Sequence, residues 1–273
     1  MTVNQFRILG PVSALHGEAE IAVGPPQRRA LFGLLLLAEQ QSVTVAQLQD
    51  RLWGPERPAS CITAIQGHVH HLRRAMRETG RPAAGGPELV SYPGHSREQA
   101  SYALLTAPAT VDFQEARRLA AEGRDHLLRH AYKPALASCR RALSLWRGEP
   151  LAGLPMTSYL TIARNGLNEM RRSLRHQAAR AELALGRPAI AVEGLQQLWN
   201  EEPQDEHTAV VLSVALCRAG APSRALAIID GQLERWRAQY GMTPPDMVQH
   251  RNRILAGTFD AARDFDHTAE PWW

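Results

Sequence analysis

A 34-residue repeat in the second half of the chain constrains its fold more than any other feature. Gly186 and Gly220 lie 34 residues apart, and each is followed at the second position by a proline. Small or apolar residues recur at the same spacing: Ala181 with Ala215, Leu183 with Cys217, Ala191 with Ala225, and Leu195 with Ile229. This period is typical of stacked pairs of antiparallel helices, in which small side chains let the helices approach closely. We therefore predict a stack of helical hairpins in this region.

The remainder of the second half has the same helical character. From Val111 to about Gly257, apolar residues recur at the spacing of an amphipathic helix. An earlier unit at 132–146 has the composition of the repeat without its regular spacing. We predict an all-α, tetratricopeptide-like domain at 107–257. The polar segment 258–273, which ends in two tryptophans, is predicted to be a C-terminal tail.

The first 106 residues combine strand and helix patterns. The predicted elements are strands at 5–9 and 20–23, helices at 27–41, 45–53 and 60–79, and hairpin strands at 89–92 and 101–105. Thr44 and Ser60 are suitable N-caps for the second and third helices. This order is that of a winged helix-turn-helix, whose third helix reads DNA. The predicted fold class is therefore mainly α, with an N-terminal winged helix-turn-helix (α+β) at 1–106 followed by the helical repeats.

The predicted third helix has an apolar face and a polar face. At about 100° per residue, one stripe contains the apolar residues Ile62, Ile65, Val69, Leu72 and Met76. The opposite face and its flanks carry the candidate DNA-binding residues Thr63, Gln66, Gly67, His70, His71, Arg73, Arg74 and Arg77. Gln and Arg side chains hydrogen-bond adenine and guanine edges, Arg also contacts phosphate, and Gly67 lets the helix lie close to the duplex. The alternative interpretation is an ordinary solvated face with a few arginines.

The predicted hairpin adds one further DNA-binding candidate. Arg97 lies in the loop between its strands, with His95 close by. The wing of such a domain meets the DNA backbone or the minor groove, and a narrow minor groove attracts a guanidinium. A solvent-exposed loop arginine without a DNA role is the alternative.

Composition narrows the remaining function classes. The net charge of +4 is not concentrated in one half, so nucleic-acid binding must be argued from local placement. Three scattered cysteines and no visible export signal predict a cytoplasmic protein with reduced thiols and no membrane partner. Known catalytic and phosphate-binding motifs are missing, which predicts that the protein is not an enzyme and needs no cofactor.

A pair of histidines is predicted to bind no metal, and a later run of arginines is predicted to bind no nucleic acid. His68 and His71 lie one helical turn apart, but no carboxylate or cysteine completes a ligand set, so we expect no metal site. The arginines of a later helical segment are predicted to form a solvated or partner-docking face, in preference to a second nucleic-acid surface: Arg164, Arg171, Arg172, Arg175 and Arg180.

Several segments together resemble a known family. They are Leu9-Gly10-Pro11-Val12, Gly24 to Leu31, Leu48 to Gly54 with Pro58-Ala59, Ile65 to Met76, Ala142 to Gly148, and Tyr240 to Pro244. With these landmarks the chain resembles the Streptomyces antibiotic regulatory protein family, in which an OmpR-type winged helix precedes a bacterial transcriptional activation domain. The resemblance covers about residues 5–257.

The resemblance implies an activator of a secondary-metabolite (antibiotic) gene cluster in an actinomycete. It further implies binding to direct promoter repeats near the −35 region, side by side as a homodimer on DNA. RNA polymerase holoenzyme would be recruited through its sigma, alpha or beta subunits, with the link at 42–60 and the helical-repeat surface as candidate contacts.

The chain departs from the family pattern in three places. His70-His71 replaces a frequent Ser-Arg, Cys61-Ile62-Thr63 replaces a turn that commonly holds Arg or Asn, and the wing has a longer insert at 95–101. The alternative function is an interaction scaffold whose helical groove binds a partner peptide, while the winged helix docks protein.

Overall fold

The computed structural model describes residues 4–78, 87–107 and 110–257. The chain divides into two compact units. The first comprises Met1–Leu119 and Arg141–Arg171, and the second comprises Ala120–Arg140 and Arg172–Trp273. The predicted domain boundaries at 106 and 257 stay predictions, because a packing unit and a family domain need not coincide.

The first unit opens with a small antiparallel sheet. Its strands are β1 (Asn4–Arg7), β2 (Ser13–His16) and β3 (Ala19–Ile21), in the order β1-β2-β3. The sequence predicts β1 to continue to residue 9, but the amides of Ile8 and Leu9 donate instead to the Asp112 carboxylate at 2.9–3.0 Å. The ladder therefore ends at Arg7. Phe6 packs edge-on against Phe32, with ring centroids 5.6 Å apart, and joins the sheet to the first helix.

The winged helix-turn-helix follows as predicted. Its elements are α1 (Pro26–Leu37), β4 (Val43–Thr44), α2 (Val45–Trp53), α3 (Cys61–Glu78), β5 (Glu88–Tyr92) and β6 (Ser101–Leu105). The second sheet has the order β4-β6-β5. The three helices share a core that includes the fully buried Leu31, Leu48 and Ile65. The predicted extension of α1 to residue 41 is wrong, because Glu39 and Gln40 adopt left-handed backbone angles (φ 50° and 69°).

A later segment of the chain completes the first unit. The amides of Arg147, Leu151 and Ala152 donate to the carbonyls of Leu9, Ile8 and Gly10 at 2.8–3.2 Å. Residues 8–10, which follow β1, therefore bond Asp112 through the amides of Ile8 and Leu9 and the segment 147–152 through their carbonyls. Asp112 is well buried, and this burial raises its pKa, although the two amides and Arg147 act in the opposite direction.

The helices of the second half are α4 (Asp112–Leu128), α5 (Tyr132–Leu143), α6 (Ser158–Ala184), α7 (Pro188–Glu201), α8 (Glu206–Arg218), α9 (Pro222–Tyr240) and α10 (Pro245–Leu255). They confirm the predicted helical character. None of the helices within 4–78, 87–107 and 110–257 combines the length and the hydrophobicity that a membrane span requires.

The 34-residue period corresponds to a repeated turn in the second unit. Gly186 and Gly220 have left-handed backbone angles (φ 72° and 76°). In each turn this glycine's amide donates to the carbonyl three residues earlier, and the next amide donates to the carbonyl five residues earlier, at 2.9–3.1 Å. This is the Schellman arrangement, which satisfies the last carbonyls of a helix.

The same turn joins α4 to α5, where the sequence shows no glycine. His130 has φ 55°, its amide donates to Leu127, and the Ala131 amide donates to His126. The α4–α5 pair is therefore a third helical hairpin. Its spacing from the others is irregular because residues 144–157 intervene between α5 and α6.

Candidate nucleic-acid interface

Helix α3 presents its two faces as the sequence predicts. Ile65, Val69 and Leu72 are buried against the core, while Ile62 and Met76, at the two ends of the stripe, are half-buried. We use the term recognition face for the exposed residues on the other side: Thr63, Gln66, Gly67, His70, His71, Arg74 and Arg77. A Cβ atom added at Gly67 would meet open space, so the helix surface is bare at that point.

The first turn of α3 contacts its neighbour α2. The Ala64 amide donates to the Ser60 carbonyl at 2.9 Å, which places Ser60 at the N-cap position. The buried Gln49 of α2 donates from Nε2 to Cys61 Sγ at 2.7 Å. Helix α2 itself begins with a capping box, in which the Thr44 hydroxyl and the Gln47 side chain each bond the other residue's backbone amide.

The histidines of α3 differ in their surroundings. His70 and His71 are exposed, with their rings edge-on and 5.8 Å apart. His68 is half-buried, and its pKa is lowered by burial and then by the nearby charges of Arg28 and His71. A neutral His68 belongs to the edge of the core. In the described part of the chain, no group of three His, Cys, Asp or Glu side chains is placed to hold a metal ion.

Arg73 is the one candidate on α3 that lies between the two faces. Its side chain is half-buried, and its Nε donates to the Leu89 carbonyl at 2.9 Å. Its Nη2 donates to the Ser91 hydroxyl at 2.6 Å. Both acceptors lie on β5, so Arg73 joins α3 to the hairpin. Sequence periodicity places Arg73 on the flank of the helix but gives no signal for these partners.

Arg97 and His95 are exposed on the loop at residues 93–100, which we call the wing loop. The loop turns back on itself, with the Ala100 amide donating to the Ser96 carbonyl at 3.1 Å. A Cβ atom at Gly94 would lie 2.4 Å from the Gln99 backbone, so only glycine fits there. The candidate site therefore consists of the recognition face on α3 and Arg97 on a separate, folded loop.

The later run of arginines is engaged within the protein. Arg164 donates to the Pro150 carbonyl at 3.1 Å. Arg172 and Arg175 form ion pairs of 2.6 Å with Glu202 and Glu201. The last two contacts join α6 to the end of α7, and the prediction that the run forms no second nucleic-acid surface stays a prediction.

Comparisons with known proteins agree with this architecture. Residues 111–254 match the family model described as the bacterial transcriptional activator domain. The chain is 31% identical over 266 residues to the regulatory protein AfsR of Streptomyces griseus, which covers 97% of this chain and 26% of AfsR. It is 29% identical over 255 residues to the regulatory protein DnrI of Streptomyces peucetius, covering 92% of this chain and 91% of DnrI. The chain spans about a quarter of the length of the AfsR proteins it matches.

A solved structure shows the same fold. EmbR of Mycobacterium tuberculosis, in complex with a low affinity phosphopeptide, superposes with a TM-score of 0.86 at 24% identity. The match covers 98% of this chain and 69% of the EmbR chain.

The fold defines a class of proteins in which a winged helix-turn-helix precedes a domain of helical hairpins. Within this class, the chain belongs to the bacterial transcriptional activator domain family, and its sequence is of the Streptomyces antibiotic regulatory protein type.

Proposed function

We propose that this protein binds direct repeats near the −35 region of its target promoters and activates transcription there. Helix α3 lies in the major groove, and the wing loop with Arg97 meets the backbone or the minor groove. The recognition face carries the proposal. It carries two arginines and two histidines, residues 61–77 contain no carboxylate, and the polar side of the helix is exposed while the other side is buried. Such a surface attracts phosphate and can hydrogen-bond base edges.

The proposed partners are double-stranded DNA and RNA polymerase holoenzyme. Copies of the chain bind adjacent repeats as a dimer and contact the sigma, alpha or beta subunits of the polymerase. The link between α2 and α3 is a candidate contact because residues 55–60 are all exposed. The match to a bacterial transcriptional activator domain and the names of relatives, which include a transcriptional regulator, support this proposal at the level of transcription control.

The proposed targets are the genes of a secondary-metabolite cluster. Family membership and the Streptomyces relatives support this assignment. We further propose that the protein acts in the cytoplasm, performs no catalysis and requires no cofactor. The interaction-scaffold function remains the competing proposal, and DNA binding separates the two.

A gel-shift experiment tests the proposal. Purified protein is incubated with promoter fragments from its own genomic neighbourhood, with and without RNA polymerase holoenzyme. We expect a shift that sharpens on direct repeats and a further shift when polymerase is added. The matched control is a fragment of equal length with the repeats scrambled. The absence of any specific shift at moderate salt would overturn the proposal in favour of the scaffold.

A salt titration on the shifted fragment tests how the protein is held. The logarithm of the binding constant should fall with the logarithm of salt concentration by about 0.9 for each phosphate neutralised. Binding that is independent of salt would contradict a contact made by the arginines of the recognition face.

A further inference from the structure

The guanidinium of Arg73 is bonded to the wing, which is the hairpin formed by β5 and β6. It donates to the Leu89 carbonyl and to the Ser91 hydroxyl, at 2.9 and 2.6 Å. Both residues belong to β5, the first strand of the hairpin. The adjacent Arg74 is exposed. The two arginines therefore occupy different surroundings on the same helix.

Strand β5 is an edge strand of its sheet. It lies at the end of the sheet order β4-β6-β5, so one of its edges faces away from β6. A guanidinium is planar and holds its donors in a fixed fork, which allows it to bond a carbonyl and a hydroxyl of one strand together. A lysine ammonium has the same charge without this geometry. Arg73 thus joins α3 to the edge of the wing through the shape of its side chain as well as its charge.

The wing loop is held a second time by α2. The amides of Val45 and Ala46, in the first turn of α2, donate to the carbonyls of Ala100 and Glu98 at 2.8 and 3.1 Å. The first amides of a helix have no partner within it, so the wing loop supplies their acceptors. The loop that carries Arg97 is therefore bonded to α2, while the strand that leads into it is bonded to α3 through Arg73.

We propose that Arg73 is a positioning residue that fixes the wing, and with it Arg97, relative to the recognition face. In this role it does not itself bind DNA. The consequence for DNA binding rests on the proposed function, whereas the consequence for the wing is measurable in the free protein. The two consequences can therefore be tested separately.

Hydrogen exchange in the free, full-length protein tests the first consequence. The variants are Arg73→Lys, which keeps the charge but loses the fork, and Ser91→Ala, which keeps the arginine but removes one acceptor. We expect the amides of 88–92 and 101–105 to exchange about tenfold faster in both, since a hydrogen bond to a charged group is lost. Arg77→Lys, at an exposed position of the same helix, is the matched control and should exchange as the wild type does.

A double-variant cycle tests the second consequence. The probe is a duplex that this protein selects from a random-sequence pool. Arg73→Lys should weaken binding about as much as Arg97→Ala, and the double variant should bind about as weakly as either single variant. Arg97→Ala should reduce the salt slope by about 0.9 if it contacts phosphate. The double variant should then show no further reduction.

Three outcomes bear on the proposal. Unchanged wing exchange in Arg73→Lys and Ser91→Ala would overturn it. A direct phosphate contact by Arg73 would give a different result. Arg73→Lys would then bind DNA normally, whereas Arg73→Ala would weaken binding additively with Arg97→Ala and lower the salt slope by about a further 0.9. Faster wing exchange together with no DNA binding by the wild type would support the positioning role and reject the proposed function.

Discussion

Arg74 tests the recognition face at the scale of a single residue. If this exposed side chain bonds a guanine edge, Arg74→Ala should weaken binding to the selected duplex by about 1–3 kcal/mol, because a bidentate contact is lost. Binding to a scrambled duplex should change less. Fluorescence titrations on both duplexes measure the difference. An equal loss on both would assign Arg74 to the phosphate backbone, and no loss on either would remove it from the interface.

The Asp112 carboxylate is a second single side chain whose role can be tested, here through stability. Its carboxylate accepts the amides of Ile8 and Leu9 and lies 3.6 Å from Arg147. Asp112→Ala should lower the free energy of unfolding by about 1–3 kcal/mol, because two amides in a well-buried region lose their acceptor. Asp112→Asn keeps one acceptor oxygen and should lose less. Urea unfolding measures both, and a midpoint equal to the wild type for Asp112→Ala would contradict the assigned role.

At the scale of elements, the repeated turn predicts opposite effects at equivalent positions. A Cβ atom at Gly186 or Gly220 meets no neighbouring atom, so the main cost of alanine there is the left-handed backbone, about 1–2 kcal/mol. His130 occupies the same position with a side chain, so His130→Gly should stabilise by about 0.5–1 kcal/mol.

The test of His130 needs a control for a side-chain contact in the α4–α5 turn. His130 Nδ1 lies 2.9 Å from the Tyr132 hydroxyl, and His130→Gly loses this contact. The substitution is therefore compared in a Tyr132→Phe background, where the contact is already absent. Thermal unfolding of the full chain measures each change. A destabilised His130→Gly in that background would show that His130 carries no left-handed backbone strain for glycine to relieve.

Elements with local signals could be predicted from the sequence. Thr44 and the polar residue three positions later define the start of α2, and the apolar stripe of α3 defines its faces. Elements that depend on distant partners could not. The end of β1 is set by Asp112, more than a hundred positions away, and Arg73 bonds a strand that periodicity does not connect to α3. The turn between α4 and α5 could not be predicted either, because it contains no glycine and its spacing from the other turns is irregular.

Helix α8 bears on the competing scaffold function. Eight of its residues, from Thr208 to Leu216, are buried, and its neighbours include α7 and α9. The Ser213 hydroxyl lies 2.7 Å from His250 Nε2 of α10, and Met247 and Ile254 of α10 belong to the same core. A peptide that bound this side of α8 would have to displace α10, so the scaffold function would need a groove formed by other helices.

At the scale of the whole molecule, acid sensitivity follows from two buried histidines of the second unit. Burial lowers the pKa of His176 to about 3 and that of His250 to about 4. For His176, the charges of His207 and Arg172 act in the same direction and Asp205 opposes them; for His250, Arg253 adds to burial. Each imidazole contacts a hydroxyl while neutral, Thr208 or Ser213.

In the unfolded chain both histidines take up protons below about pH 6.5, so the unfolded state binds more protons than the folded state between that pH and the folded pKa values. The free energy of unfolding should therefore fall as the pH falls, by up to about 1.4 kcal/mol per pH unit for each histidine. Urea unfolding from about pH 7 to about pH 5 measures this slope. His250→Gln should reduce the slope, whereas His95→Gln, on the exposed wing loop, should leave it unchanged. Equal slopes in wild type and His250→Gln would show that His250 is not held neutral by its burial against α8.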